Sequence, residues 1–360
     1  GNAVLPDGHE EYAEHPYVKG VVDGFDVDLV PCYRVDSATA IRSAVDRTPF
    51  HNDYVTERLD DEAAGEVRLL KQFLKGAGVY GSDLRTRGFS GFLGELLVLE
   101  YGDFRGVLEA ASEWHPPVTL DPEDHGTVFF DDPLVVVDPT DPERNVAAVV
   151  EAQNLARFQP PARAFLDAPS AAAFTPPSPD PLSPADVREH LARRDTTPIA
   201  VVFDTPDIVE DQLYPQLRRS VEGLVRGLEG RGFEVLRHTT FAADRSVLFA
   251  ELSVAELPAV ERHEGPPVHV ADHAADFFEA YADAEAYGPF VDGECYVVER
   301  ERAVTSAATF ASEHLSDVAL GAHVESIVAE GDYEVLTDDA VAPLADAFGV
   351  ELARYFDPRP

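Results

Sequence analysis

Eight prolines fall between Pro160 and Pro184. Proline fixes φ and removes a backbone donor, so a stretch this dense suits a connector rather than a packed element. It divides the chain into two parts that must each build a core. At 360 residues, 45% of them hydrophobic, the chain has the material for two or three domains.

Before the connector, two β-rich runs, "YVKGVV" and "FDVDLV", flank Asp23-Gly24, a hairpin signal. In the second run Val27, Leu29 and Val30 read as a buried strand, yet Asp26 and Asp28 interrupt it on one face. Paired carboxylates are either half-exposed surface acids or oxygen ligands for a hard divalent cation such as Mg²⁺. Thr48-Pro49 reads as a break. Residues 61–77 read as an amphipathic helix with Val67, Leu70, Phe73 and Leu74 on its apolar side and Gly78 at its end. "SGFLGELLVLEYG", "FRGVLEAASEW" and "NVAAVVEAQNLARF" are expected as further helices. Beyond the connector, "TPIAVVFD" reads as a strand and "LYPQLRRSVEGLVRGLEGRG" as a helix. "FEVLRHTTF", "SVLFAEL" and "ECYVVER" follow as strands. That order suggests an α+β sandwich with helices on one sheet face.

The formal net charge is −39, and only Lys19, Lys71 and Lys75 among the 28 basic residues are lysines; the rest are arginines. A chain this acidic lacks the basic patch expected for nucleic acid. Molar salt changes that reading, because the Debye length shrinks to about 3 Å at 1 M and high net charge is a halophile trait. The charge is read as adaptation to a salty cytoplasm, which leaves an RNA partner open. Cys32 and Cys295 are expected as buried free thiols of a reducing compartment. No apolar run approaches a membrane helix and no signal peptide is visible.

Several motifs admit two readings. Arg47, Thr48 and His51 in "SAVDRTPFH" offer a guanidinium fork and a hydroxyl to phosphate, or form an ordinary capped loop. Lys71 and Lys75 share a helical face suited to a triphosphate, or are simply solvated. Tyr80 could stack on a base or pack. His269 and His273 stand at i, i+4 without a third zinc ligand, and a polar helix face is the simpler reading. No G-x-S-x-G or C-x-x-C pattern occurs.

The ordered set "YAEHPYVKGVV", "DVDLVPCY", "SAVDRTPFH", "EVRLLKQFLKGAGVYG", "RGFSGFLGELL", "VVDPTDPERNVAA", "NLARF", "APS" and "PDIVEDQLYPQL" resembles the archaeal, class I CCA-adding enzymes, which are tRNA nucleotidyltransferases. The resemblance implies an α+β chain: part of a polymerase-β-like nucleotidyltransferase head over residues 1–60, a helical neck over 61–180, and a ferredoxin-like body with a helical tail over 181–360. It implies addition of C, C and A to the tRNA 3′ end from CTP and ATP, with Mg²⁺ as cofactor, in the cytoplasm, and is compatible with a homodimer. Asp28 resembles the family's third metal carboxylate and would be catalytic. His51, Lys71 and Tyr80 fall on its nucleotide-contacting positions, with Arg47 and Thr48 in the same loop. Arg157 in "NLARF" resembles the arginine that reads the incoming base. His15 lies close by in sequence as an active-site neighbour.

One departure matters. No Gly-Ser…[Asp/Glu]-x-[Asp/Glu] motif precedes Asp28, and the chain contains no Met, so it reads as a fragment or processed product expected to have little activity alone. The alternatives are an oligoadenylate synthetase or poly(A) polymerase-like adenylyltransferase, which needs no tRNA body, and a non-catalytic RNA-binding protein.

Overall fold

A computed structural model of the chain describes residues 5, 7–12, 16–126 and 129–359. Among these, the chain divides into two compact units. One comprises Gly1–Ser178 with Ile208–Pro215 and Pro358–Pro360; the other comprises Pro179–Asp207 and Gln216–Asp357.

The first unit opens with β1 (His9–Tyr12), β2 (Pro16–Val22) and β3 (Phe25–Leu29), an antiparallel sheet in that order. Asp23 and Gly24 make the β2–β3 turn with positive φ, the conformation that an Asp-Gly pair supplies. Asp26 and Asp28 are exposed on one face of β3, with Asp28 opposite Lys19. Val27 and Leu29 are half-buried, but Val30, expected inside, is 46% exposed, as Val21 and Phe25 are also exposed. Cys32 is exposed rather than buried, because the strand has ended at Leu29, and both cysteines are free thiols.

The buried Asp46 carboxylate accepts hydrogen bonds from the backbone N–H of Tyr33, Arg42 and Ser43, which fixes the loop leading into α1 (Thr48–Arg58). Pro49 therefore does not break the chain. It sits in the first turn of α1, where its missing N–H would have had no helical partner.

Helix α2 (Asp61–Gly76) starts at Asp60, whose side chain accepts from the Glu62 and Ala63 N–H groups. It buries Val67, Leu70, Phe73 and Leu74 against α3 (Gly91–Tyr101), α4 (Phe104–Ser112) and α5 (Ala152–Asp167). A side chain at Gly76 would collide with the Ala173 carbonyl, so this close crossing needs glycine.

Against the helices lies the sheet β4 (Val118–Leu120), β5 (Leu134–Asp138) and β6 (Asp141–Asn145), in that order, with β4 parallel and β6 antiparallel to β5. Every residue of β5 is buried.

The helix expected from Asn145 onward begins only at Ala152. The Asn145 side chain accepts from the N–H of Val136 and Ala147 and donates to the Leu134 carbonyl and to Asp132, so residues just after it turn back on the hairpin. Helix α5 then runs on through Pro160 and Pro161 to Asp167. Those prolines belong to a helix, not to the connector.

The second unit contains α6 (Pro184–Arg194), β7 (Thr197–Asp204), the part of α7 (Glu210–Glu229) from Gln216 onward, β8 (Val235–Ala242) and β9 (Arg245–Leu252). After them come β10 (Val260–Pro267), α8 (Ala271–Ala282), β11 (Ala286–Asp292) and β12 (Cys295–Glu301). The unit ends with α9 (Ala307–Glu313), α10 (Ala322–Glu330), β13 (Glu334–Thr337) and α11 (Ala345–Phe356). One sheet has the order β13-β7-β9-β8, every neighbour antiparallel; a second has the order β10-β12-β11. Phe241, Phe249, Phe348 and Tyr355 pack between the first sheet and α11. His269 precedes α8 and His273 lies inside it, both exposed, and among the described residues nothing joins them into a metal cluster.

Candidate nucleotide site

The first turn of α3 gathers the sequence-derived residues. Ser90 caps this helix by accepting from the Leu93 N–H at 3.1 Å. No acidic residue occupies the first turn, so the positive end of the helix dipole is not offset there. Gly91 follows. A Cβ at Gly91 would stand 3.4 Å from both Lys71 Nζ and Tyr80 Oη, so these two groups converge on one point of bare backbone. Lys71, from α2, is half-buried and paired with Glu95 at 2.7 Å. Tyr80 is held by backbone bonds that close the loop after α2: Phe89 N–H to the Val79 carbonyl and Gly81 N–H to the Phe89 carbonyl. Lys75 Nζ lies 5.1 Å from the centre of the Tyr80 ring.

Phe92, the next residue, carries the His51 ring stacked on it at 3.9 Å and 12°. His51 and Arg47 stand one turn apart at the start of α1 and are both held by the turn between β5 and β6. His51 Nε2 lies 2.8 Å from Asp138 Oδ2. Arg47 donates from Nε and Nη2 to Asp141 Oδ2 at 3.1 and 2.8 Å. Asp138 is fully buried. Burial alone would raise its pKa, but the hydrogen bonds from His51 and Thr140 outweigh that and bring it down to about 2. Thr48, the first residue of α1, is exposed.

Three sequence-derived positions stand apart. Arg157, half-buried on α5, makes no hydrogen bond, ion pair or ring contact among the described residues. Its neighbour one turn back, Asn154, donates to the Thr86 and Arg87 carbonyls and so ties α5 to the loop that carries Tyr80; Arg87 also pairs with Glu151. Asp28 shares no bond with the α3 group. His15 lies outside the described residues. Sequence reasoning missed Asp138, Asp141 and Arg144, although "DPTDPER" was in view. Two Asp-Pro pairs around a single Thr are the signal of a tight, carboxylate-bearing turn.

Comparison with known proteins defines the class and then the family. Residues 65–175 match the family model described as tRNA nucleotidyltransferase, second domain. Residues 194–338 match that of the CCA-adding enzyme, C-terminal domain. A curated CCA-adding enzyme of Halorubrum lacusprofundi is 61% identical, over all of this chain and 81% of that one. One of Halobacterium salinarum is 62% identical over all of this chain and 80% of its own. One of Methanoregula boonei is 47% identical over 89% of this chain and 70% of its own. The chain belongs to the CCA-adding enzyme family.

Membership of a nucleotidyltransferase family suggests a divalent metal. The described residues do not complete a site for one: no group of three or more His, Cys, Asp or Glu is placed to hold a metal ion. Asp26 and Asp28 supply hard oxygen donors side by side, and nothing further joins them among the described residues.

Proposed function

We infer that the chain serves template-independent addition of C, C and A to the 3′ end of tRNA, with CTP and ATP as substrates. The observation that carries this reading is the convergence of His51, Lys71 and Tyr80 on the first turn of α3. A cation, a phenol and a helix N-terminus at one point of bare backbone are complementary to a triphosphate. Lys71 would offset phosphate charge, Tyr80 would orient the sugar or a phosphate, and Arg47 and Thr48 would add donors at the neighbouring helix start. Arg157, without a protein partner among the described residues, is left for the edge of the incoming base, where a guanidinium fork can pair with acceptors on C or A.

Asp28 is proposed as one carboxylate of the metal site and Mg²⁺ as its ion. When bound, a divalent ion offsets charge on the reacting phosphate. In domain terms the reading assigns residues 1–60 to the nucleotidyltransferase head, 61–180 to the neck and 181–360 to a tRNA-gripping body and tail. The order β13-β7-β9-β8, with helices linking β7 to β8 and preceding β13, supports a ferredoxin-like body. A cytoplasmic location accords with tRNA processing, and among the described residues no helix is long and apolar enough to cross a membrane.

The test is incorporation of labelled CMP and AMP into a tRNA lacking its CCA end, in molar KCl with Mg²⁺, by a chimaera in which this chain replaces the matching 81% of the Halorubrum relative, with that relative itself as standard. Ordered addition of C, C and A supports the reading. Addition of AMP alone to any RNA would overturn it in favour of an adenylyltransferase, and tRNA binding without nucleotide binding would favour a non-catalytic RNA-binding protein.

A further inference from the structure

One acid closes the loop between β3 and α1. Asp46 is fully buried. Its Oδ1 accepts from the Tyr33 N–H at 2.7 Å, and its Oδ2 accepts from the Arg42 and Ser43 N–H groups at 2.9 and 3.0 Å. Tyr33 and Arg42, at opposite ends of the loop, are thereby fixed against one carboxylate. Their side chains meet on the outside, where the Arg42 guanidinium lies over the Tyr33 ring, 5.3 Å from its centre. Tyr33 is 57% exposed, and Arg42 is exposed as well.

Arginines lie over tyrosine rings elsewhere in the chain, and there an acid takes the cation. Arg58, over Tyr54 at 3.7 Å, pairs with Glu123, which also accepts from the Tyr54 hydroxyl. Arg85, over Tyr214, pairs with Glu210, and Arg237, over Tyr355, faces Glu251. Arg42 and the Tyr33 hydroxyl meet no such acid among the described residues, in a chain of 67 acids against 28 bases. The residue after Tyr33, Arg34, is likewise exposed and unpaired among them. An ordinary surface contact needs no buried carboxylate beneath it.

We propose that Tyr33 and Arg42 form a stacking platform for a base at the single-stranded 3′ end of the tRNA, with Arg34 as a donor to the adjoining phosphate and Asp46 as the positioning residue beneath. This rests on the tRNA reading above. A phenol ring and a guanidinium plane stack on any base, and a free guanidinium beside them suits a phosphate. Chain order favours the acceptor strand as the occupant. β3 carries Asp28, proposed for the metal, and α1 with the residue before it carries His51 and Arg47, proposed for the triphosphate; the loop joins the two. The strand to be extended has to bring its end between metal and triphosphate. Stacking also persists in molar salt, where charge contacts to phosphate weaken.

The experiment measures binding of the full chain, by fluorescence anisotropy in molar KCl, to two RNAs labelled away from the 3′ end. One is a tRNA ending in its single-stranded CC; the other is the same tRNA cut back to the last pair of its acceptor stem. The wild type is expected to prefer the first. Tyr33→Ala should weaken that RNA about tenfold and leave the second unchanged, whereas Tyr33→Phe keeps the ring and should retain wild-type affinity. Arg42→Ala should lose part of the preference. Asp46→Asn replaces an accepting oxygen by a donor, so it should lose as much as Tyr33→Ala. CTP titrations run alongside. A purely structural role for Tyr33 would weaken both RNAs alike, and that result would overturn the platform. So would a wild-type preference in Tyr33→Ala, or a loss of CTP affinity in that variant, which would move the ring to the nucleotide. A wild type that binds both RNAs equally would overturn the platform and leave the tRNA reading standing; one that binds neither would overturn the tRNA reading itself. If Asp46→Asn fails to fold, the Tyr33 variants decide, since that side chain lies on the surface.

Discussion

Two buried carboxylates, one in each unit, are held by cations in different ways. Glu251 on β9 is fully buried. Its Oε1 accepts from Arg194 Nε at 2.6 Å and the Thr196 hydroxyl at 2.5 Å; its Oε2 accepts from Arg194 Nη2 at 2.9 Å and the Tyr355 hydroxyl at 3.0 Å. Arg237 lies over the Tyr355 ring at 4.4 Å and 3.7 Å from Oε2. Here the fork of Arg194 is closed on the acid in a bidentate pair. At Asp138 the acid is equally saturated, by Thr140, His51 and Arg144, but each cation gives it a single donor. The first arrangement locks α6 and α11 onto the sheet, while the second leaves cationic donors without a partner among the described residues. Burial of the acid is the same in both, so the two arrangements differ in how much of the cation the acid consumes.

The comparison is most strongly tested at Glu251. Glu251→Ala leaves Arg194 and Arg237 without their buried partner, and breaking such a pair costs about 3–5 kcal/mol. Urea unfolding in molar KCl should show a loss of that order. A loss under about 1 kcal/mol would mean that the closed fork contributes no more than a surface pair, and the distinction would fail.

Asp138 should respond less strongly and with a pH signature. Its pKa stands at about 2 instead of 3.8. A carboxylate with a lowered folded-state pKa contributes stability above its unfolded value, and that contribution is lost as pH falls through the folded value. The difference corresponds to about 2 kcal/mol, present above pH 4 and lost between about pH 4 and pH 2. Asp138→Asn should forfeit that amount at neutral pH and show a shallower loss across the acid window, read from urea midpoints at constant salt. Equal acid slopes in variant and wild type would remove Asp138 as the responsible group.

Tyr355 sharpens the fastening side. Burial, with the nearby Glu251 charge and its hydrogen bond, pushes the phenol well above its ordinary range, so it acts only as a donor. Tyr355→Phe keeps the ring against Phe249 and removes one donor from an acid that retains three others. The expected cost is about 1 kcal/mol, measured by the same unfolding curves. A cost near that of Glu251→Ala would mean that the phenol, not the guanidinium fork, holds the acid.

These differences bear on what the sequence could disclose. Local periodicity was enough for α2 and α4, whose apolar residues recur at helical spacing, and turn chemistry for the β2–β3 hairpin, whose Asp-Gly turn needs positive φ. It failed where tertiary contacts decide. "LVVVD" has no alternation because both faces are covered, and so β5 went unread. The start of α5 is set by Asn145 bonding back across a hairpin. Val30 and Cys32 look like core residues by type, yet stand on the surface past the end of β3. The site divides the same way. His51, Lys71 and Tyr80 were legible through resemblance, and the structure brings them to α3. Asp138 and Arg144 were not, since what brings them beside His51 is a contact across 87 positions, that of Asp138 with His51.

Arg157 lies at the far end of the scale that Glu251 begins. It is a half-buried cation with no acid, carbonyl or ring against it among the described residues. By the rule drawn from the two carboxylates, none of its donors is consumed by the fold. Arg157→Ala should therefore leave stability within about 0.5 kcal/mol of wild type. Its effect should appear instead in the relative affinities for CTP and ATP. The reading of a base edge by a guanidinium distinguishes bases, whereas a phosphate contact weakens both nucleotides alike. Parallel titrations of the two nucleotides give the answer as a ratio, which cancels any general loss of binding. A changed ratio with unchanged stability fits a donor left free for the base. An unchanged ratio with both affinities reduced would make Arg157 a phosphate contact. A stability loss of several kcal/mol would show that an arginine without hydrogen-bonded partners can still hold this fold, through the packing of its stem on α5, and would limit the rule to charged pairs.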